Sequence, residues 1–384
     1  MTKIPFNKPY FTGKETEYIQ QAVEAGHISG DGVFTKKCHK YFEERFGFRK
    51  ALLTTSCTDA LEMAAILIDI QPGDEVIVPS FTFVSTANAF VLRGAKIVFV
   101  DSRPDIPNMD EDHIEKLITP RTKAIVPVHY GGVACDMDKI MAISEKYGLY
   151  IIEDAAQAID SYYKDKPLGS IGHFGTFSFH ETKNIMSGEG GMLVINDDRF
   201  IERAEIIREK GTNRSAFFRG EIDKYGWVDI GSSFLPSDII GAVLYAQLEN
   251  LYDIQKRRIE IWNTYYNRLT NLLDDASVRT PVIPEYATNN AHLFYLVFDN
   301  IEERSRVIED LKQNGINAVF HYQSLHKSSF YHRITNNVAL SNAERYSDCL
   351  LRLPLYYELE YEQQNYIIKN IAMSLNKIKN KAYG

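Results

Sequence analysis

The chain reads as an α/β protein with a mostly parallel central sheet flanked by helices, followed by a smaller α/β unit. Short runs rich in β-branched residues at 50–54, 75–79, 96–100 and 123–128 alternate with stretches of helical periodicity, the rhythm of βαβ units. These strands are apolar rather than alternating, as strands covered on both faces are. Two further strand-like segments, 149–152 and 176–179, lead into Asp154 and Lys183, and open sheets gather ligand groups at the carboxyl ends of their strands.

Bulk properties narrow the class. The 384 residues suffice for two domains, read as 1–250 and 251–384. A hydrophobic content of 45% with 24% charged residues is ordinary for a globular protein. The formal charge of −8 disfavours a nucleic-acid binder. Cys38, Cys57, Cys135 and Cys349 lie far apart without a C-x-x-C, as in a reduced intracellular protein. The amino terminus lacks an apolar signal core, and no run of about 18 apolar residues occurs. A cytoplasmic location without membrane or nucleic-acid partners is expected.

In chain order, 14–25 predicts a helix with Tyr18, Ile19, Ala22 and Val23 on one face, and ISGDGVFT a two-glycine turn. Strand 50–54 runs into a helix opened by Ser56, Cys57 and Thr58. That junction suits a phosphate, and Ser56 suits a plain N-cap equally. Strand 75–79 precedes Phe83 and a helix through Leu92; alone, Phe83 reads as a core ring. Helices near 110–118 and 136–147 alternate with the next strands. His129, just past a strand end, fits either a site or the core. No G-x-G-x-x-G follows a strand and no P-loop occurs, which disfavours nicotinamide and ATP sites. His321, His326 and His332 are not on one helical face, and no H-E-x-x-H accompanies them, so no metal is expected. Beyond a polar helix at 198–210, Lys210, Asn213, Arg214 and Arg219 form a basic loop suited to phosphate or to solvent. A helix from Ser237 carries the chain into the second unit near 250. There, strands at 292–298 and 316–320 alternate with helices at 302–313, 341–350 and 363–377.

The stretch 150–191 carries the chemistry. Asp154 and, three residues on, Gln157 follow one strand; Ser178 lies in another that leads to Lys183 and a glycine-rich loop. An amine and a carboxylate aimed into one crevice suit pyridoxal phosphate, which needs a lysine to form a Schiff base and an acid for its ring nitrogen. Such a charge-assisted hydrogen bond contributes roughly 1.5–3 kcal/mol. The pair equally describes a solvated loop lysine and an N-cap before Ala155 and Ala156. Spacing alone does not choose.

The strings EDAAQAI, FSFHETKN and GEGG, with PSFTFVSTANAFVLRGAKIVFVD, PVHYGG, REKGTNRSAFFRG and LRLPLYYEL, choose. They resemble the DegT-type sugar aminotransferases, a pyridoxal-phosphate family of the aspartate-aminotransferase fold (fold type I), over nearly the whole chain. The resemblance implies that Lys183 holds the cofactor, Asp154 its ring nitrogen and Gln157 its ring hydroxyl. It puts the phosphate on Cys57 and Thr58, with Ser178 beside it, and Phe83 over the pyridine. Many relatives have glycine at the position of Cys57. A G-x-N-x-R motif whose asparagine crosses to the neighbouring subunit reads Gly231-Ser232-Ser233-Phe234-Leu235 here, leaving Ser233 for that role. A homodimer with shared sites is implied, and Phe217, Phe218, Tyr225 and Trp227 are aromatics a monomer would struggle to cover. Lys210, Arg214, Arg219 and His129 are candidate substrate contacts. The likeness points to 4-aminotransferases that use L-glutamate and dTDP-4-dehydro-6-deoxy-glucose to make dTDP-4-amino-4,6-dideoxy-galactose for surface polysaccharides. Three alternatives stand beside it: a 3-keto-sugar aminotransferase, a sugar dehydratase (whose relatives carry histidine in place of Lys183) and a non-catalytic regulatory member.

Overall fold

The computed structural model describes residues 3–273, 278–333 and 338–382. The central sheet uses β1 (Lys50–Thr54), β2 (Glu75–Pro79), β3 (Lys96–Val100), β4 (Thr122–Ile125) and β5 (Tyr150–Asp154). A small hairpin, β6 (Tyr162–Tyr163) and β7 (Lys166–Pro167), precedes β8 (Phe174–Ser178) and β9 (Gly191–Ile195). The seven-stranded order is β1-β9-β8-β5-β4-β2-β3. From β8 to β3 every pairing is parallel, and only β9 runs against its neighbours. Val76, Ile77, Val78, Ile151 and Ile152 are almost fully buried, which is why these runs read as continuously apolar.

The helices between and around these strands are α1 (Glu15–Glu24), α2 (Val33–Phe46), α3 (Cys57–Leu67), α4 (Val84–Val91), α5 (Met137–Tyr147), α6 (Ile201–Arg208), α7 (Arg214–Phe218) and α8 (Asp238–Glu249). Then α9 (Leu251–Leu273) leads to β10 (Phe294–Val297), α10 (Ile301–Gln313), α11 (Ser329–His332), α12 (Ser341–Cys349), β11 (Leu350–Leu353) and α13 (Tyr361–Ala382). Strands β10 and β11 pair antiparallel. Among the described residues no helix is long and apolar enough to cross a membrane.

Four expectations are corrected. The helix near 110–118 is two 3₁₀ turns, Glu111–His113 and Glu115–Leu117; Glu111 is buried, its carboxylate held by the Asp136 N–H at 2.7 Å, and that tertiary capture outweighs helical periodicity. The segment 316–320 makes only isolated bridges, Ile4 with Ile316 and Val319 with Arg352, and β11 supplies the second strand instead. The glycine-rich loop ends in β9, because Gly191 belongs to the ladder: a Cβ there would lie 2.2 Å from the Ser56 carbonyl carbon. The turn expected over ISGDGVFT gives way at Val33 to helix α2.

The reason for α2 lies two hundred residues away. Its N-cap, Gly32, has no side chain to accept from the first turn. Asp238 of α8 does so instead, taking the N–H groups of Phe34 (3.2 Å) and Thr35 (2.7 Å) and the Thr35 hydroxyl (2.8 Å). A Cβ at Gly32 would sit 2.3 Å from the Asp238 carboxyl carbon. Asp238→Ala is therefore expected to lower stability by about 2 kcal/mol, read as a lower denaturant midpoint at unchanged m-value. An unaltered midpoint would show that α2 holds without this cap.

Candidate active site

Strands β5 and β8 are parallel neighbours, so Asp154 and Ser178 reach the same sheet edge. They open on a cavity of about 840 Å³ also lined by Ser56, Cys57, Thr58, Phe83, Gln157 and Lys183. Asp154 is buried and accepts from the Thr86 hydroxyl at 2.7 Å and the Ala156 N–H at 3.2 Å. Burial raises its pKa above the usual carboxylate value, opposed by these two donors and by Lys183. Lys183 follows the turn closed by its own N–H on the His180 carbonyl (2.9 Å). Burial of its amine among the cavity walls lowers its pKa, against the pull of Cys57 and Asp154.

The opposite face of β5 fixes this edge. The Glu153 carboxylate accepts N–H groups from Gly169 (2.8 Å), Ile171 (2.7 Å) and Gly172 (2.7 Å), and His129 donates to it from Nε2 at 3.0 Å. His129 takes the Cys135 N–H at Nδ1 (3.2 Å) and is fully buried. Both ring nitrogens are engaged away from the cavity, so His129 is a core histidine and not a substrate contact of this chain.

Ser56 caps α3 by accepting the Asp59 N–H at 3.1 Å. The first-turn N–H groups of a helix have no intrahelical acceptor, and here Cys57 and Thr58 present that turn to the cavity. The Thr58 and Ser85 hydroxyls pair at 2.8 Å, and the Ser178 hydroxyl accepts the His180 N–H at 3.4 Å. This cluster of donors at a helix amino terminus suits a phosphate. Phe83 is 55% exposed at the mouth of the cavity. Gln157 accepts the Gly131 N–H (2.7 Å) and donates to the Tyr322 hydroxyl (2.8 Å).

The far wall comes from the carboxyl-terminal region and was not anticipated. Tyr322 stacks on His321 with ring centroids 3.6 Å apart, and the Tyr130 hydroxyl meets His321 Nδ1 at 2.6 Å. Arg352 donates twice to the Phe320 carbonyl (3.3 and 3.0 Å) and lies 4.6 Å from the Phe6 ring centroid. Among the described residues no carboxylate pairs with it, so it can receive an anionic substrate group. The string LRLPLYYEL held Arg352, but nothing local marks it as a cavity residue.

The basic loop lies apart from the cavity of its own chain. Arg214 pairs with Glu209 at 3.2 Å, and Arg219 with Glu205 and Glu221 at 2.7 Å each. Lys210 and Ser233 are exposed. The nearby aromatics are open, Trp227 at 85% and Phe218 at 67%.

The family model for DegT/DnrJ/EryC1/StrS aminotransferases matches residues 9–372. The spore coat polysaccharide biosynthesis protein SpsC of Bacillus subtilis is 33% identical over 380 residues, 96% of each chain. Spr1654 of Streptococcus pneumoniae, described as a sugar aminotransferase, is similar in its PMP-form at a TM-score of 0.91 and 26% identity, covering 100% of both chains; its PLP-form is similar at 0.89. PseC of Helicobacter pylori, an aminotransferase involved in the biosynthesis of pseudoaminic acid, gives 0.90 at 25% identity over 98% of this chain and 100% of its own. Matched along most of its length in sequence and fold, the chain belongs to the DegT/DnrJ/EryC1/StrS aminotransferase family, sugar aminotransferases whose cofactor is pyridoxal phosphate.

Proposed function

We propose that the protein moves an amino group from L-glutamate to carbon 4 of dTDP-4-dehydro-6-deoxy-glucose, giving dTDP-4-amino-4,6-dideoxy-galactose for a surface polysaccharide. One observation carries the aminotransferase reading: a buried carboxylate and a desolvated lysine share one cavity with a helix amino terminus. The residues present fit pyridoxal phosphate, since a cation at the ring nitrogen would relieve the buried charge of Asp154, and Cys57, Thr58 and Ser178 offer donors for the phosphate. Phe83 would cover one ring face and Gln157 face the ring hydroxyl. When bound, the cofactor supplies an electron sink for a carbanion. Lys183 would hold it, and its amine, when free, would hold and move a proton at the donor Cα; a lysine with a lowered pKa suits that work near neutral pH.

The substrate rests on the quoted strings and on relatives named for carbohydrate biosynthesis. With Arg214 and Arg219 outside the cavity of their own chain, we propose a homodimer in which the loop carrying them, and Ser233, serves the partner's site. The open Trp227 and Phe218 surface supports that arrangement.

The test is glutamate conversion to 2-oxoglutarate with a panel of keto-sugar nucleotides. Turnover should be best with the dTDP 4-keto sugar. Amination of a 3-keto sugar would replace the substrate assignment. Sugar consumption without 2-oxoglutarate would make the protein a dehydratase, and a protein with no cofactor absorbance band would be a regulatory member.

A further inference from the structure

Next to Lys183, Asn184 orients a histidine whose function is unassigned. The Asn184 amide nitrogen donates to the Asn290 carbonyl at 2.8 Å and to Gln255 Oε1 at 2.8 Å. A carbonyl oxygen only accepts, so this contact fixes which end of the amide is nitrogen. The other end, Oδ1, meets His292 Nδ1 at 2.9 Å and must accept from it. His292 therefore carries its proton on Nδ1, and Nε2 on the opposite ring edge holds a lone pair. The ring lines the cavity, and among the described residues nothing bonds to Nε2. Burial, with Lys183, Arg258 and Arg352 nearby, holds the imidazole pKa well below its ordinary value, so the ring stays neutral.

What such a group can recognise follows from chemistry. A neutral lone pair accepts a hydrogen bond and offers nothing to an acceptor. Donor carboxylates and a cofactor phosphate are acceptors; Arg352 and the α3 amino terminus suit them. Glutamate's one donor, its amine, is the group delivered at Lys183. A sugar, by contrast, presents hydroxyl donors. We infer that His292 Nε2 accepts a hydrogen bond from a hydroxyl of the keto sugar, so that His292 is a specificity-determining residue of the sugar half-reaction. The inference rests on the proposed aminotransferase function.

Two substitutions separate the ring edges. His292→Asn keeps an amide nitrogen near the Nδ1 position, preserving the Asn184 contact, but removes the acceptor at Nε2. His292→Gln carries an amide oxygen towards the Nε2 position. The two half-reactions of the holoenzyme are followed separately through the cofactor's absorbance, with glutamate and with dTDP-4-dehydro-6-deoxy-glucose, or whichever panel sugar the wild type turns over. His292→Asn should lower kcat/KM for the sugar about tenfold or more, the effect of an unpaired buried hydroxyl, and leave the glutamate half-reaction in place. His292→Gln should recover part of the loss. Equal losses in both half-reactions, or an intact sugar half-reaction in His292→Asn, would overturn the assignment. A wild-type protein that fails with every amino donor would instead remove the aminotransferase reading, so the two failures are distinguishable.

Discussion

Lys183→Ala should lower turnover by about a thousandfold or more, the range for removing a positioned proton-transfer group, and borohydride should no longer fix the cofactor to the chain. In the wild type, peptide mapping after reduction should find the adduct on Lys183. The geometry behind this is the turn after β8, which brings the amine into the cavity shared with Asp154. Loss of folding is not the expected cause. Burial lowers the pKa of Lys183, so charging it costs the folded state, and that cost grows as pH falls from roughly 10.4 towards the lowered folded value. Alanine removes this penalty, and the cofactor-free variant should be no less stable than wild type at neutral pH. An adduct on a different lysine would refute the assignment.

How legible such a site is in sequence depends on the reach of each contact. Strands β1, β2 and β3 match the expected spans because apolar β-branched runs bounded by turns need no distant partner. Asp154, Gln157, Ser178 and Lys183 meet in one cavity because β5 and β8 are parallel neighbours whose carboxyl ends share one sheet edge. Contacts across the chain were invisible. Thr86 bonds Asp154 from 68 positions earlier, and Asp238 caps α2 from 203 positions beyond Thr35. Arg352, Tyr322 and His292 line the cavity from the carboxyl-terminal region, more than a hundred positions beyond Lys183 in the chain. His129 failed for the converse reason: its place after a strand suggested a site, but Glu153 faces the other side of the sheet and holds it there. Adjacent residues of a strand point to opposite faces, so Glu153 and Asp154 serve structure and cavity respectively.

Asp154→Asn should bind cofactor yet lose on the order of a hundredfold or more in rate, because an amide cannot hold a pyridine nitrogen protonated. The variant should retain the fold, for its side chain fills the same volume beside Thr86. Stability against pH gives an independent check. Burial raises the pKa of Asp154 in the cofactor-free protein. The unfolded chain therefore ionises first, near pH 3.9, and the folded state loses stability as pH rises from there through the raised value. Asparagine has no charge to desolvate and should lack that decline, so the cofactor-free variant should match or exceed wild type at neutral pH while remaining nearly inactive. A purely local role, accepting the Ala156 N–H in the turn after β5, would behave differently: asparagine accepts there about as well as aspartate, so the variant would keep both its stability and its turnover. Near-normal turnover would leave Asp154 only that local role, and the buried carboxylate would then need another explanation.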